Sequence, residues 1–233
     1  MGNVAPAAQL VFTNCTFEMN GIDINTNSAG KAHSGGALFL TSSHNTGGGN
    51  VNPMLTLTGC TFEENYIGLA SGVTSSNTEK KGATIYIADN SNSGNQVLCS
   101  LVGTLIQNSE FKTDTTPETK LFGSGIFVGK NTVLRIDGNS QVESKTNGTV
   151  QNRCDIYLAA NNGAPYEILG KIKCTAGLDP EPIGQITPGK YQTGLSMFTN
   201  TSQIPASRFT VTDESNVSKW KVDADGKLKK KGP

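Results

Sequence analysis

Aliphatic and aromatic residues recur along the chain as one short motif, in which an aromatic side chain stands between two aliphatic ones. Small residues precede each copy. The copies are Gly36-Ala37-Leu38-Phe39-Leu40, Ala83-Thr84-Ile85-Tyr86-Ile87, Ser124-Gly125-Ile126-Phe127-Val128 and Cys154-Asp155-Ile156-Tyr157-Leu158. Because a unit of this size buries its apolar side only against the next copy of itself, the repeat predicts a solenoid.

A second motif lies between the aromatic ones. Residues 10–20 (LVFTNCTFEMN) and 55–65 (LTLTGCTFEEN) match closely, and weaker copies follow at residues 105–111 and 134–142. Each repeat thus holds roughly three short β-type runs, and three strands with three turns make one coil of a β-solenoid. The pattern predicts an all-β chain whose residues 1–177 form a right-handed parallel β-helix of about four to five coils.

The repeats shorten along the chain, and we expect the difference in polar loops at residues 42–50, 71–81, 90–95 and 113–120. Past Cys174 the repeat ends. We predict a β-rich C-terminal cap over residues 178–233, with turns at Pro188-Gly189 and Asp225-Gly226, because an uncovered terminal coil would leave an open strand edge.

Composition agrees with closely spaced strands and turns: the chain has 27 glycines, and no segment sustains a helical period. The formal net charge is zero, so we expect no attraction to nucleic acid. Of the 19 basic residues, six lie between Lys219 and Lys231 with only two acids, which leaves a mild negative excess elsewhere. No apolar run approaches the ~18 residues of a membrane span, so we expect no membrane insertion, and no signal-peptide pattern opens the sequence.

The aromatic residues of the first motif form the candidate binding site. Alternation along a strand puts the two aliphatic columns inside and turns the aromatic column outward. With coils roughly 4.8 Å apart, the rings should stack. The stack either serves packing beneath a loop or the cap, or forms a docking strip for a glycan or a protein. The strip consists of Phe39, Tyr86, Phe127 and Tyr157.

Asn20 and Asn65 occupy equivalent positions, and we expect their amides to hydrogen-bond from coil to coil. Glu18, Glu63 and Glu143 also fall near equivalent positions, yet like charges one coil apart repel unless a cation lies between them. No His or Arg accompanies these acids in the repeat, so catalysis is not expected.

Five cysteines exclude a complete disulfide framework. Cys15 and Cys60 should lie on stacked strands, whose parallel side chains do not readily adopt disulfide geometry, so we expect inward-facing thiols. Cys99, Cys154 and Cys174 are expected in the core, with Cys154 and Cys174 the pair most worth examining.

The two histidines, His33 and His44, are expected in solvated loops without a catalytic or metal role. We therefore predict no enzyme activity, no metal site and no cofactor.

The residues of the two motifs resemble the GGA[I/L] and FxxN repeats of chlamydial-type polymorphic outer-membrane proteins. The matching residues are 35–38 (GGAL), 17–20 (FEMN) and 62–65 (FEEN). The motifs are also similar to the GGGVYV…GGTISGN repeats of bacterial surface proteins with right-handed parallel β-helices. Residues 186–191 and 220–228 are similar to the segments that cap such repeats. The resemblance implies an outer-membrane-associated, cell-surface or secreted, adhesin-like role and no known active site.

The function predicted from the sequence is a non-enzymatic surface or secreted module that binds a host protein or glycan. If the protein is exported, its signal peptide lies outside this sequence. We expect a monomer or a fragment of a longer solenoid. Two alternatives stay open: a polysaccharide lyase or hydrolase of the β-helix type, and a purely structural stalk.

Overall fold

The computed structural model describes residues 9–24, 32–41, 54–70, 73, 79–90, 96–112, 120–137, 139–144, 155–174, 183–199, 206–212 and 219–232. This part of the chain is all-β, apart from a single 3-10 turn at Ala206–Arg208. It contains no helix of the length and apolarity that crossing a membrane requires.

The strands fall into successive repeats of the sequence. The first repeat holds β1 (Gln9–Thr13), β2 (Thr16–Glu18), β3 (Gly21–Ile24), β4 (Ala32–Ser34) and β5 (Leu38–Leu40). The second holds β6 (Met54–Thr58), β7 (Thr61–Glu63), β8 (Tyr66–Leu69), β9 (Glu79–Lys81) and β10 (Ile85–Ile87). The third holds β11 (Gln96–Val102), β12 (Leu105–Phe111), β13 (Lys120–Phe122) and β14 (Ile126–Val128).

The fourth repeat holds β15 (Thr132–Asp137), β16 (Gln141–Ser144) and β17 (Ile156–Leu158). The remaining strands are β18 (Lys171–Cys174), β19 (Gly184–Pro188), β20 (Phe209–Val211), β21 (Trp220–Val222) and β22 (Leu228–Lys230).

Equivalent strands of successive repeats lie side by side in parallel sheets. One sheet has the order β1-β6-β11-β15-β18, and a smaller one the order β13-β9-β4. The largest sheet has two limbs, β2-β7-β12-β16 and β5-β10-β14-β17, which meet at β19 because this strand pairs with both β16 and β17. The stacking of repeats that the sequence predicts is therefore confirmed as parallel strand pairing.

The register confirms both sequence motifs. β1 pairs with β6 so that Leu10 faces Leu55, and β2 pairs with β7 so that Phe17 faces Phe62. In the third repeat the partner of Leu55 is Cys99 in β11. The sequence motifs did not predict this strand.

The aliphatic columns of the aromatic motif build the core, as predicted. Among their members the following are fully buried: Ile85, Ile87, Ile126, Val128, Ile156 and Leu158. Burying each such side chain contributes about 1.5–3 kcal/mol to folding relative to exposure.

Small residues precede the aromatic motif because the chain turns there. Gly82 and Gly123 adopt φ values of 60° and 67° on leaving β9 and β13. A Cβ atom on Gly82 would collide with the carbonyl oxygen of Ile85, and one on Gly123 with that of Ile126. Glycine is the residue that accepts this backbone without strain.

The prediction of roughly three strands per repeat was too low, since the first two repeats each contain five strands. Glu79–Lys81 was predicted within a loop but forms β9, and Lys120 was predicted to end a loop but begins β13. Lys80 explains how a strand so rich in charge fits: its alkyl chain is buried, and its Nζ donates to the carbonyl oxygen of Lys112 at 3.3 Å. The predicted loop at residues 42–50 lies outside the described residues, as do 91–95 and 113–119.

The C-terminal region continues the parallel pairing before it changes to an antiparallel hairpin. β19 pairs with β17, and β20 pairs with β19, both in parallel. β21 and β22 form an antiparallel hairpin whose Trp220 and Leu228 are buried. The predicted turn at Asp225-Gly226 is present: Asp223 Oδ1 accepts from the backbone N–H groups of Asp225 and Lys227 at 3.0 and 2.8 Å.

Candidate functional site: an aromatic groove

The four aromatic residues of the repeated motif stand in register on neighbouring strands. Phe39 faces Tyr86, Tyr86 faces Phe127, and Phe127 faces Tyr157. The ring centroids are 4.9, 5.1 and 5.3 Å apart, with interplanar angles of 32°, 23° and 11°. The stack expected from the sequence is therefore present. Such pairs contribute about 0.5–1.5 kcal/mol each beyond simple burial.

Solvent exposure varies strongly along this stack. Phe39 at one end is 56% exposed, whereas Phe127 is only 5% exposed. Phe122, on the preceding strand β13, covers Phe127 edge-on at 6.4 Å between centroids, and Lys81 Nζ lies 5.6 Å from the Phe127 centroid. The stack is neither uniformly covered nor uniformly open. An outward direction follows from strand alternation, but an accessible ring does not.

A groove of about 190 Å³ runs over the middle and far end of the stack. Tyr86, Phe127 and Tyr157 line its floor. Residues that precede the aromatic strands supply one side, namely Glu79, Lys81 and Phe122. Residues that follow those strands supply the other, namely Asp89, Lys130, Ala159, Ala160 and Asn162. Phe39 is not among the lining residues.

Charged groups of both signs border the aromatic floor. Lys81 Nζ forms an ion pair with Glu79 Oε2 at 2.7 Å, and the backbone N–H of Lys130 donates to Asp89 Oδ1 at 2.8 Å. Burial raises the pKa of Tyr86, and the negative charges of Asp89 and Glu79 raise it further. The Tyr86 hydroxyl therefore stays protonated at neutral pH and can donate a hydrogen bond into the groove.

The sequence pointed to the floor of this groove but not to its sides. Phe122 is aligned with Lys81 of the preceding repeat. The feature of the sequence that could have placed Phe122 beside the groove is its position immediately before the turn glycine Gly123. Glu79 and Lys81 were missed because they were assigned to a loop.

The predicted asparagine ladder is confirmed. Asn65 is fully buried, and its Oδ1 accepts from the backbone N–H and the Nδ2 of Asn20 at 3.0 and 3.1 Å. Its own Nδ2 donates to the carbonyl oxygen of Phe17 at 3.0 Å. The ladder satisfies turn groups between repeats and lies away from the groove, so its role is structural.

Three of the described cysteines are core residues, as expected, and the fourth packs against the core. Cys60, Cys99 and Cys174 are buried, while Cys15 is partly exposed, and the described part of the chain contains no disulfide. Burial raises the pKa of Cys99 to about 12, and that of Cys174 to about 12. Neither thiol is a nucleophile at neutral pH. Cys154, and with it the suggested pairing with Cys174, lies outside the described residues.

The glutamate column is shorter than expected. Glu18 and Glu63 are neighbours, but Gln107 takes the next position, which separates Glu143 from them. In the described ranges no group of three or more His, Cys, Asp or Glu side chains is arranged to hold a metal ion.

The expectation that both histidines lie in loops is wrong for His33, which belongs to β4, because β4 pairs with β9 in the small sheet. His44 lies outside the described residues.

Comparisons of the chain with protein-family models, with curated proteins and with solved structures give no match.

Proposed function

We propose that this chain is a right-handed parallel β-helix from a surface or secreted, adhesin-like binding protein, and that its aromatic groove holds a carbohydrate chain. Support for the fold comes from the parallel sheets, in which each strand neighbours its counterpart one repeat away. Support for the surface role comes from the resemblance to the repeats of polymorphic outer-membrane proteins. We also propose that the described residues of the C-terminal region, from 183 onwards, close one end of this solenoid.

The observation that carries the binding proposal is the combination of an aromatic floor and polar sides in one open groove. Sugar rings have apolar faces that pack on aromatic side chains and hydroxyl groups that need donors and acceptors. Tyr86 and Tyr157 offer rings, and Tyr86 also offers a hydroxyl, whereas Asp89 and Asn162 offer acceptors beside them. Such pairing of apolar surface with a few polar groups is typical of ligand sites.

A single experiment separates the ring from the hydroxyl. We expect a glycan that is captured by the wild-type protein on an array to lose most of its affinity with Tyr86→Ser, and less with Tyr86→Phe, which keeps the ring. Tyr166→Ser is the matched control, since Tyr166 is also partly exposed but lies outside the groove. Isothermal titration of each variant with the captured glycan gives the affinities. Equal affinities for the Tyr86 and Tyr166 serine variants would exclude the groove as the site.

One observation favours a second function, a polysaccharide hydrolase or lyase. Glu79 and Asp89 place two carboxylates on opposite sides of the same groove, and such enzymes use paired carboxylates. Glu79 already forms an ion pair with Lys81, so one of the two carboxylates is engaged within the protein. Release of reducing or unsaturated ends from uronic-acid or neutral polysaccharides, abolished by Glu79→Gln and Asp89→Asn, would establish the enzyme. A purely structural stalk predicts neither capture nor turnover.

A further inference from the structure

The C-terminal hairpin gathers lysines on one face. β21 and β22 pair antiparallel with Lys221 directly opposite Lys229. The same register continues one step further, where the backbone N–H of Lys231 donates to the carbonyl oxygen of Lys219 at 2.9 Å. Two lysine pairs therefore occupy successive positions on one side of the hairpin. We call Lys219, Lys221, Lys229 and Lys231 the lysine face.

The opposite side of the hairpin is packed on the core. Trp220, Val222 and Leu228 are buried there, while the four lysines of the lysine face are exposed. Paired Cβ atoms across a hairpin lie about 5 Å apart, and residues two positions apart along a strand lie about 7 Å apart. The lysine face is thus a compact array of lysine side chains on a hairpin whose other side is packed into the core.

Folding alone gives no reason for this arrangement. Like charges directly opposite each other destabilise a strand pair, and outward positions of a hairpin accept any polar residue. The acids of the hairpin, Asp223 and Asp225, lie in its turn, where the Asp223 carboxylate accepts backbone N–H groups. Lys81 pairs with Glu79 and Arg135 with Asp137, and neither of these ion pairs is on this hairpin.

We propose that the lysine face is a second binding site, for a linear acidic glycan that carries sulfate or carboxylate groups. Lysine ammonium groups act as point charges for anions repeated along a flexible chain. Single-stranded nucleic acid would need exposed aromatic rings on which bases stack, and the hairpin's one aromatic residue, Trp220, faces the core with 2% exposure. This site is separate from the aromatic groove and does not depend on the function proposed for it.

The test compares heparin and polygalacturonate, as sulfated and carboxylated probes, at low and at physiological salt. We expect the K221Q/K229Q variant to bind at least one of the two about tenfold more weakly than the wild-type protein, with a shallower salt dependence. K112Q/K173Q is the matched control, because it removes two exposed lysines elsewhere and the same net charge. Tyr86→Ser should leave this binding unchanged, which keeps the two sites distinguishable.

Integrity of the hairpin is read from the emission of Trp220, the only tryptophan, and from the melting temperature. Because the substitution removes like-charge repulsion, we expect the K221Q/K229Q variant to melt at the same or a higher temperature. Three results would overturn the proposal: equal weakening by the control pair, no binding of either polysaccharide by the wild-type protein at low salt, or tighter binding to single-stranded DNA or to phosphatidylserine vesicles than to both polysaccharides.

Discussion

The largest sheet carries two aromatic stacks, one turned inward and one turned outward. The inner stack consists of Phe17 and Phe62, whose rings are 4.4 Å apart with an interplanar angle of 2°. It then gives way to aliphatic residues, because Ile106 is the next partner of Phe62. The outer stack keeps aromatic residues in four successive strands, from Phe39 to Tyr157. Register alone thus aligns rings on both faces of the strands.

The two stacks differ in what surrounds them. Phe62 lies in the main core cluster and is fully buried, and the core accepts an aliphatic residue in the next repeat provided that volume is filled. The outer rings are covered only where another element passes over them, as Phe122 and Lys81 do at Phe127. Alternation along a strand decides the direction of a side chain, whereas neighbouring elements decide its burial.

Truncation of the inner stack should give the largest effect. Phe62→Ala removes a fully buried ring and leaves a cavity between β2 and β12, so we expect a loss of about 3–5 kcal/mol in the free energy of unfolding. Urea denaturation followed by circular dichroism measures it. Phe39→Ala is the matched control at the exposed end of the outer stack. A similar loss for both variants would contradict the distinction between the two stacks.

Burial of a cysteine thiol in the core should also make the stability of the protein depend on pH in the alkaline range. Cys99 lies opposite Leu55 in the core, and burial raises the pKa of its thiol to about 12 from an ordinary value of 9.0. Because the pKa of this thiol is higher in the folded state than in the unfolded state, the stability that the neutral buried thiol contributes is fully present below pH 9. It is lost as the pH rises from 9 towards 12. It amounts to at most on the order of 4 kcal/mol.

Cys99→Val should reduce the alkaline fall in the urea midpoint and leave the part that Cys174 causes, whereas Cys15→Val, at a partly exposed position, keeps both buried thiols and should retain the whole fall that they cause. Indistinguishable alkaline slopes for the Cys99 variant and the wild-type protein would argue against an ionisation cost at this site.

The smallest effects should occur within the outer stack, and they should be graded. Phe127→Ala removes a ring that is covered by Phe122, so we expect a loss of about 2–3 kcal/mol, whereas Phe39→Ala should cost less than about 1 kcal/mol. Thermal unfolding of both variants checks the gradient. Equal melting temperatures would mean that Phe122 does not shield the stack as the structure describes.

Much of the architecture was predictable because a repeat imposes its own register. The local sequence was enough to predict four features: the alignment of residues 10–20 with 55–65, the inward aliphatic columns, the hydrogen bonds between Asn20 and Asn65, and the turn at Asp225-Gly226. The strands β4, β9 and β13 did not follow from it, because their three residues show no alternation of apolar and polar side chains. They are strands because an equivalent segment lies beside them.

The sides of the candidate groove could not be predicted either, because they depend on strands that the sequence did not indicate. Glu79, Lys81 and Phe122 reach Tyr86 and Phe127 only because β9 and β13 pair with each other immediately before the aromatic strands begin. No spacing in the sequence reports that proximity. The lysines of the hairpin were visible as a charge cluster, but their pairing across two strands required the register of β21 and β22.

By itself the sequence determined the repeat, the parallel alignment of its copies and the direction of each side chain within a recognised strand, because hydrogen-bonded stacking and strict alternation are local rules. Only the tertiary structure decided which outward side chains are accessible. Accessibility depends on elements distant in the chain that pass over a strand, and for this reason the ring of Phe39 is exposed while that of Phe127, in the same column, is buried.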